Sequence, residues 1–489
     1  MLAFRRSLGL PVGLSACYAG VVISLSCRYQ KAVTLYMIPR TVIIGAEPAG
    51  LAAAYELARN GQKSLIIELT DRIGGRFQTE AHQGYRFDRG GQIFLGSTEV
   101  KARWREIWGD DLVTVSGQSR FCYRNRFLDY PFSIANASKN IGPADTLRVA
   151  LSYLSAQLQP NLLAEAESLA DWAAERWGSY FYRALLEPYI KKVWGISGHQ
   201  LQSQALSGVL GSRGDRPTPP TFVYPTAGLS AAWENCRALI ERAGSTVELN
   251  ARLLRIEHAG NRIKQIVVQQ SESSAAVTGD RFICSLAIAD LIERLHPSAP
   301  PVIIEAVKCL KYRDSIIVPI IVKVNALFPD SWLYIQSPEF QVGRIQNYAN
   351  WGGTADSGIC LGMEYFCSEG DRLWQMDDAA LIDLAIRELS DLQLVTDRAL
   401  IAGGTVIRQR QAYPIGDSSY VNHLAVVQDY LAGFENLQLV GRKGLHYDYD
   451  LDRAMLTGQT AAENVLNKQP ASTINRRGHA TVSLDIPGK

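Results

Sequence analysis

The stretch Gly45-Ala46-Glu47-Pro48-Ala49-Gly50 follows an apolar run, Thr41 to Ile44, and precedes a helix-like run, Leu51 to Arg59. A dinucleotide-binding turn belongs in that context. In its G-x-G-x-x-G form the first glycine permits a tight bend and the second lets the backbone approach a pyrophosphate. The third lets helix and strand pack closely. Gly45 and Gly50 satisfy the first and third roles. The amides at the start of the following helix, from Ala49 onward, then face the phosphates. Glu68 ends the next strand-like run, where an acid accepts hydrogen bonds from an adenosine ribose and disfavours a 2′-phosphate. Turn, flanking elements and Glu68 together point to dinucleotide binding.

The middle glycine position is Glu47. A carboxylate about 4 Å from a phosphate charge costs on the order of 4 kcal/mol at an effective dielectric near 20. Its Cβ also blocks close approach. Two readings stay open. Glu47 weakens a site that still works, its side chain turned to solvent or partly neutralised by Arg76 or Arg442. Alternatively, it disables the site.

These residues need a scaffold. Pro39 to Ile44 reads as a buried parallel strand, Leu51 to Asn60 as a helix closed by Gly61, and Ser64 to Glu68 as a second strand, a βαβ unit. Helical periodicity marks Ala144 to Leu158, Leu169 to Trp177 and Tyr180 to Ile190, and Arg216 to Pro220 ends that region. A helix over Leu229 to Arg242 precedes strands over Thr246 to Asn250 and Arg262 to Gln269. Strand-like runs follow at Ile316 to Val324, Ile359 to Phe366 and Gly404 to Arg410, with a helix over Asp378 to Leu389. A strand, Leu437 to Val440, and a helix, Leu451 to Leu466, return the chain to its first unit. The expected organisation is an extension or leader over 1–36 and a discontinuous nucleotide-binding domain over 37–98, 220–299 and 425–468. A helical cap insertion covers 99–219, a β-rich substrate-side domain 300–424, and a disordered tail 469–489.

The chain has 489 residues, 47% apolar and 20% charged, which describes a globular protein with room for two or three cores. A net charge of +2 and dispersed aromatics give no hint of nucleic acid binding. Eight cysteines without a C-x-x-C pair offer no zinc site and suit reduced, buried thiols. The expected location is the cytoplasm. Arg5-Arg6 ahead of an uncharged stretch, Ser7 to Cys27, leaves a signal segment or membrane anchor open beside an upstream extension with Met37 as the natural start.

After Glu68 come LTDRIGGRF and YRFDRGGQIFL, then EPYIKKVWGI at 187–196 and VELNARLLRIE at 247–257. VGRIQNYANW, LGMEYFCSEGD and VGRKGLHYDYDLDRAMLTGQTAAENVL follow. Over roughly residues 38 to 468 these resemble the flavin amine oxidase and protoporphyrinogen oxidase superfamily, in the branch that contains UDP-galactopyranose mutase. The resemblance implies an α/β fold: a Rossmann-type, glutathione-reductase-like split domain for FAD, a helical insertion and a mixed-sheet substrate domain. It implies noncovalent FAD held by Gly45, Glu47, Pro48, Ala49, Gly50, Glu68, Gly74, Gly75, Arg76, Gly91, Gln92, Leu253, Gly441, Arg442, Asp450, Leu451 and Asp452, with no metal. The backbone near Leu253 meets the adenine. Asp452 is a plausible N-cap whose helix end sits beside the flavin pyrimidine ring and stabilises negative charge on reduction.

Three departures bear on activity. The branch's Gly-Gly-His is Gly90-Gly91-Gln92 here, a substrate-binding tyrosine of the mutase falls on Asp448, and an Asn-Gln-Asp-His-Ser-Met of related oxidoreductases reads DLDRAM. They count against the mutase reaction itself. The implied function is an FAD-dependent oxidoreductase that passes hydride from an organic small molecule to flavin N5. The alternatives are a sugar-nucleotide isomerase working through reduced flavin and a degenerate, non-catalytic flavin fold. Lys192 and Trp194 are candidates to line the substrate cavity, against a structural lysine and a core tryptophan. Arg344, Arg410 and Arg442 are candidate anion clamps, against ion-paired arginines. Tyr413 faces the flavin or the core, and His446 moves protons or is held structurally.

Overall fold

In the computed structural model the described residues are 41–90, 104–109, 111–130, 134–158, 168–202, 221–352 and 358–469. Residues 1–36, including the apolar stretch 7–27, lie outside them, as does the tail after 469. Among the described residues no helix is long and apolar enough to cross a membrane.

Strand β1 (Thr41–Ile44) and strand β2 (Ser64–Ile67) are buried at every position, which is why they read as unbroken apolar runs. Between them lies helix α1 (Pro48–Arg59), which starts earlier than Leu51 because Pro48 suits the first helical turn and the third glycine of the motif sits inside the helix. Gly61, at φ +69°, follows its end. β1 and β2 occupy the middle of a five-stranded parallel sheet, flanked by Arg281–Cys284 and Leu437–Leu439 on one side and Thr246–Glu248 on the other. Strands from both ends of the sequence meet there. The helix Leu451–Leu466 packs on α1 so closely that a Cβ on Gly458 would come within 1.8 Å of the Ala49 carbonyl oxygen.

A second, four-stranded sheet is a meander of Ala251–Ala259, Arg262–Gln270 and Ser273–Thr278 with Leu295–His296 added parallel to its first strand. The largest sheet, built on Lys311–Val322 and the wholly buried Ile359–Cys367, carries a core of its own. Its far edge is the hairpin Ser119–Tyr123 and Arg126–Tyr130. The range 99–219 is therefore not helical alone: Leu112–Ser116 is also a strand, paired with Thr221–Pro225. The hairpin turns on Arg124 and Asn125, both at positive φ (49° and 58°), a two-residue turn without the usual glycine.

The expected helix from Tyr180 to Ile190 is interrupted by a π-helical turn, Tyr182–Leu186, before Glu187–Trp194. Pro188 lacks the donor that a continuous α-helix needs at that point. The strand expected over Gly404 to Arg410 is two strands, Ile401–Gly404 and Ile407–Ile415, both paired with Lys311–Val322. All six described cysteines are free, and five are buried.

Candidate functional site

The turn after β1 is built from backbone. Gly45 has φ +98° and its amide donates to Ile67 O at 2.8 Å; a Cβ there would lie 2.2 Å from Ser285 Oγ. A Cβ on Gly50 would lie 2.1 Å from Gly45 O. Both positions therefore exclude a side chain, as the tight bend and close helix approach require. Glu68 is buried beside the turn. Its Oε2 accepts from Ala46 N at 2.7 Å, and its Oε1 accepts from Thr70 N at 3.0 Å and Thr70 Oγ1 at 2.9 Å. Gly74, at φ +97°, donates to Ala46 O at 2.8 Å, which ties the Gly74-Gly75-Arg76 step to the turn.

Glu47 is the N-cap of α1 with extended backbone (φ −71°, ψ 167°) and makes no capping hydrogen bond. Its conformation needs no glycine. Its side chain crosses to Gly75, whose Cβ position would be 2.5 Å from Glu47 Cγ, and its Oε1 lies 3.4 Å from Lys443 Nζ. The expected partners were Arg76 and Arg442. Both are held elsewhere, and Lys443 is the cation that reaches Glu47.

On the C-terminal side, Gly441 has φ +76° and donates to Thr457 Oγ1 at 2.9 Å. Buried Arg442 donates through Nε to Tyr449 O at 2.8 Å and pairs through Nη2 with Asp448 at 2.9 Å. Asp450, not Asp452, is the N-cap of Leu451–Leu466: its carboxylate accepts from Arg453 N at 3.0 Å. Its extended backbone (φ −69°, ψ 177°) puts the first helical residue at Leu451, so Asp452 falls inside the first turn, buried.

Tyr413 joins the two sides to the large sheet. Its hydroxyl donates to Glu364 Oε1 at 2.7 Å and accepts from Arg344 Nη2 at 3.1 Å and Arg76 Nη2 at 3.2 Å. The guanidiniums of Arg76 and Arg442 lie 4.6 and 5.4 Å from its ring centre. Trp194 meets the same ring edge-on at 6.3 Å. Burial first, then the Glu364 charge, push the Tyr413 hydroxyl above its ordinary range, so it stays a neutral phenol.

Of the other candidates, Arg344 belongs to this group and the rest are held by other partners. Lys192 donates to the carbonyls of Ile335, Ser337 and Val342 at 2.8, 3.0 and 3.1 Å, and burial lowers it to about 8. Arg344 is paired with the fully buried Glu364, Nε to Oε2 at 2.8 Å, and Arg410 pairs with Glu369 at the surface. His446 is closed off from solvent, 4.5 Å from the Tyr312 ring and 5.3 Å from the Tyr420 ring, and burial lowers it to about 4. Leu253 is a buried strand residue whose carbonyl accepts from Arg294 Nε at 3.2 Å. Gly91 and Gln92 lie outside the described residues.

Residues 43–109 match an NAD(P)-binding Rossmann-like domain, and residues 168–466 match the flavin containing amine oxidoreductase family over more than half of the chain. The chain belongs to the flavin containing amine oxidoreductase family. A neurosporene-forming phytoene desaturase of Rhodobacter capsulatus is 42% identical over 71 residues, 14% of this chain and 13% of the desaturase. The flavin-containing amine oxidase B of Sus scrofa is 26% identical over 168 residues, 33% of this chain and 30% of that enzyme. The chain thus aligns with under a third of the length of either relative. The fold of reduced UDP-galactopyranose mutase superposes with a TM-score of 0.76 at 18% identity, covering 90% of this chain and 97% of that one.

Membership in the amine oxidoreductase family implies FAD as the cofactor. The residues present fit it. Gly45 and Gly50 exclude side chains, and the Glu68 carboxylate is held beside the turn. Arg76 Nε is buried with no hydrogen-bond partner, while Arg76 and Arg442 both donate to the single carbonyl of Ala412. Around Tyr413 the guanidiniums of Arg76, Arg344 and Arg442 meet the carboxylates of Glu364, Asp448 and Asp450, so the donor left for an anionic group is the buried Nε of Arg76. The side chain of Glu47 lies against Gly75 and Lys443.

Lys443 and Glu364 are the residues that sequence reasoning missed. Glu364 had a signal, since it is a carboxylate inside the apolar run Ile359 to Cys367 and a buried charge needs a partner. Lys443 had only its place beside Arg442.

Proposed function

We propose that the chain is an FAD-dependent oxidoreductase that takes hydride from a carbon of an organic small molecule. FAD, when bound, supplies the acceptor atom, flavin N5, and passes the electrons on to a second acceptor. The turn after β1 and the first amides of α1 hold the diphosphate, and Glu68 holds the adenosine ribose. Gly74, Gly75, Arg76 and the Gly441–Asp452 segment line the ring system. Tyr413 and Trp194 close the space beside it with aromatic surface that excludes water.

The observation that carries this reading over sugar-nucleotide isomerisation is the state of the three arginines. A diphosphate clamp needs guanidiniums that are free to form paired hydrogen bonds with phosphate oxygens. Arg344 is bound to Glu364, Arg442 to Asp448 and Arg410 to Glu369. Asp448 moreover stands where the mutase resemblance requires a tyrosine.

The test is an absorbance spectrum of the purified protein, titrated with FAD if it is colourless, followed by anaerobic mixing with primary and secondary amines. Bleaching of the flavin bands by an amine is expected. Conversion of a UDP-sugar only in the presence of dithionite, with no bleaching by any reduced substrate, would replace the oxidoreductase by the isomerase. Absence of flavin binding under all conditions would leave a non-catalytic fold.

A further inference from the structure

Glu47 and Lys443 are an ion pair built across the place where the turn, the Gly74-Gly75 step and the C-terminal segment converge. The Glu47 carboxylate is turned away from the amides of its own helix, for which it makes no cap. Cγ, Oε1 and Cδ would lie 2.5, 2.9 and 3.0 Å from a Cβ on Gly75, so its side chain fills the space that Gly75 leaves. Lys443 follows the Gly441-Arg442 step on a short helix, Gly441–Leu445, and its side chain is mostly buried. At 3.4 Å the pair is looser than a charge-assisted hydrogen bond, which closes to about 2.7–2.9 Å. A lysine acts on phosphate as a point charge and needs no fixed fork, so it can exchange one anion for another.

We propose that Lys443 is a ligand of the FAD diphosphate and that Glu47 is its stand-in, a carboxylate that occupies the phosphate's place and is displaced when FAD binds. This rests on the reading of the chain as an FAD protein. Glu47 and a diphosphate cannot both sit against Lys443 and the α1 amides without like-charge repulsion. Binding is then an exchange of anions at one ammonium. The Cβ at the second motif position is tolerated because the side chain has a seat of its own on Gly75, and FAD affinity is lowered mainly by repulsion between the displaced carboxylate and the diphosphate, with a smaller part from breaking the pair with Lys443.

The experiment is a double-mutant cycle on the full chain: unmodified protein, Glu47→Gln, Lys443→Met and the double variant. Each is stripped of flavin, checked for an unchanged far-ultraviolet circular dichroism spectrum and melting temperature, and titrated with FAD by fluorescence quenching. Riboflavin, which has no phosphate, is titrated in parallel. Glu47→Gln is expected to bind FAD at least tenfold more tightly than the unmodified protein. Lys443→Met is expected to weaken FAD at least tenfold in the Glu47→Gln background and to weaken it less beside intact Glu47. Riboflavin affinity is expected to be unchanged by Lys443→Met. FAD affinity within twofold in Glu47→Gln, or no loss from Lys443→Met in that background, overturns the exchange while the flavin reading stands. Absence of FAD binding by all four proteins overturns the flavin reading and the exchange with it.

Discussion

The two helices that meet at the candidate cofactor site begin in nearly the same way and end up doing different things. α1 and Leu451–Leu466 each start after an acidic residue with extended backbone, Glu47 at φ −71°, ψ 167° and Asp450 at φ −69°, ψ 177°. Asp450 folds back and caps its own helix through Arg453 N. Glu47, one methylene longer, reaches outward to Lys443 instead. The aspartate behaves as a good N-cap and the glutamate as a tether. One helix end is therefore closed by its own carboxylate, with Asp452 adding a second acid in its first turn. The other keeps amides that no side chain caps. A helix end that holds an anion must stay open in this way. The positive end of Leu451–Leu466 is offset by two acids and is a weaker source of field than an uncapped helix end.

Two buried groups differ in how they store charge, and pH separates them most strongly. On one side, against the large sheet, Asp88 is fully buried, accepting from Thr79 Oγ1 and from Tyr224 OH at 2.9 Å, with burial raising it to about 7. Between its ordinary value near 3.8 and about 7 the folded state holds the proton and the unfolded state does not. Stability from Asp88 is thus full at low pH and falls as pH rises through that window, by on the order of 4 kcal/mol. On the other side His446 is lowered from 6.5 to about 4, so between those values only the unfolded state is protonated. Its contribution is full above pH 6.5 and falls as pH drops to about 4, by on the order of 3 kcal/mol. Urea unfolding of Asp88→Asn across pH 4 to 8 is expected to show unmodified protein losing ground to the variant as pH rises. His446→Asn, which tolerates the positive φ of 57° at that position, is expected to show unmodified protein losing ground as pH falls. Slopes of the same sign for the two variants would mean that the two groups do not differ in this respect.

The contact between the helices gives a smaller effect. Gly458→Ala places a methyl against the Ala49 carbonyl and pushes Leu451–Leu466 off α1, with an expected loss of roughly 2–3 kcal/mol in urea unfolding. An unchanged midpoint would show that the helices have room to separate and that the site tolerates it.

The first half of this arrangement was legible in the sequence. A central parallel strand is covered on both faces, so β1 and β2 read as continuous apolar runs, and glycines punctuate the turn between them. Glu68 was found by its place at the end of the second run, whereas Asp450 came with the family resemblance and its cap was assigned to Asp452. The hairpin over Ser119–Tyr130 was missed because its turn uses Arg124 and Asn125 rather than glycine, and its strands are five residues each. The partner of Glu47 was misassigned because Lys443 is almost the whole chain away in sequence, and only the return of Leu437–Leu439 to the β1 sheet brings it near. Lys192 at the end of a helix read equally as a cavity residue or a structural lysine, and the carbonyls it binds, Ile335 at a strand end and Ser337 and Val342 in the loop that follows, are close only in the fold.

The smallest effect tests the opening contrast most directly, because it removes each acid without touching anything else. Asp450→Ala deletes a cap that accepts a backbone hydrogen bond and is expected to cost about 1 kcal/mol in unfolding free energy. Glu47→Ala deletes a side chain that caps nothing and whose ion pair is 3.4 Å long and partly exposed, so its cost is expected to stay within about 0.5 kcal/mol. Both are read from urea denaturation of flavin-free protein, which isolates the helix ends from the cofactor. Equal losses for the two would mean that Glu47 supports α1 as Asp450 supports its own helix, leaving no carboxylate held aside for exchange. Unequal losses, with Glu47→Ala near zero, mean that the α1 end is stable without its acid. Glu47 would then be retained for something other than holding the fold together.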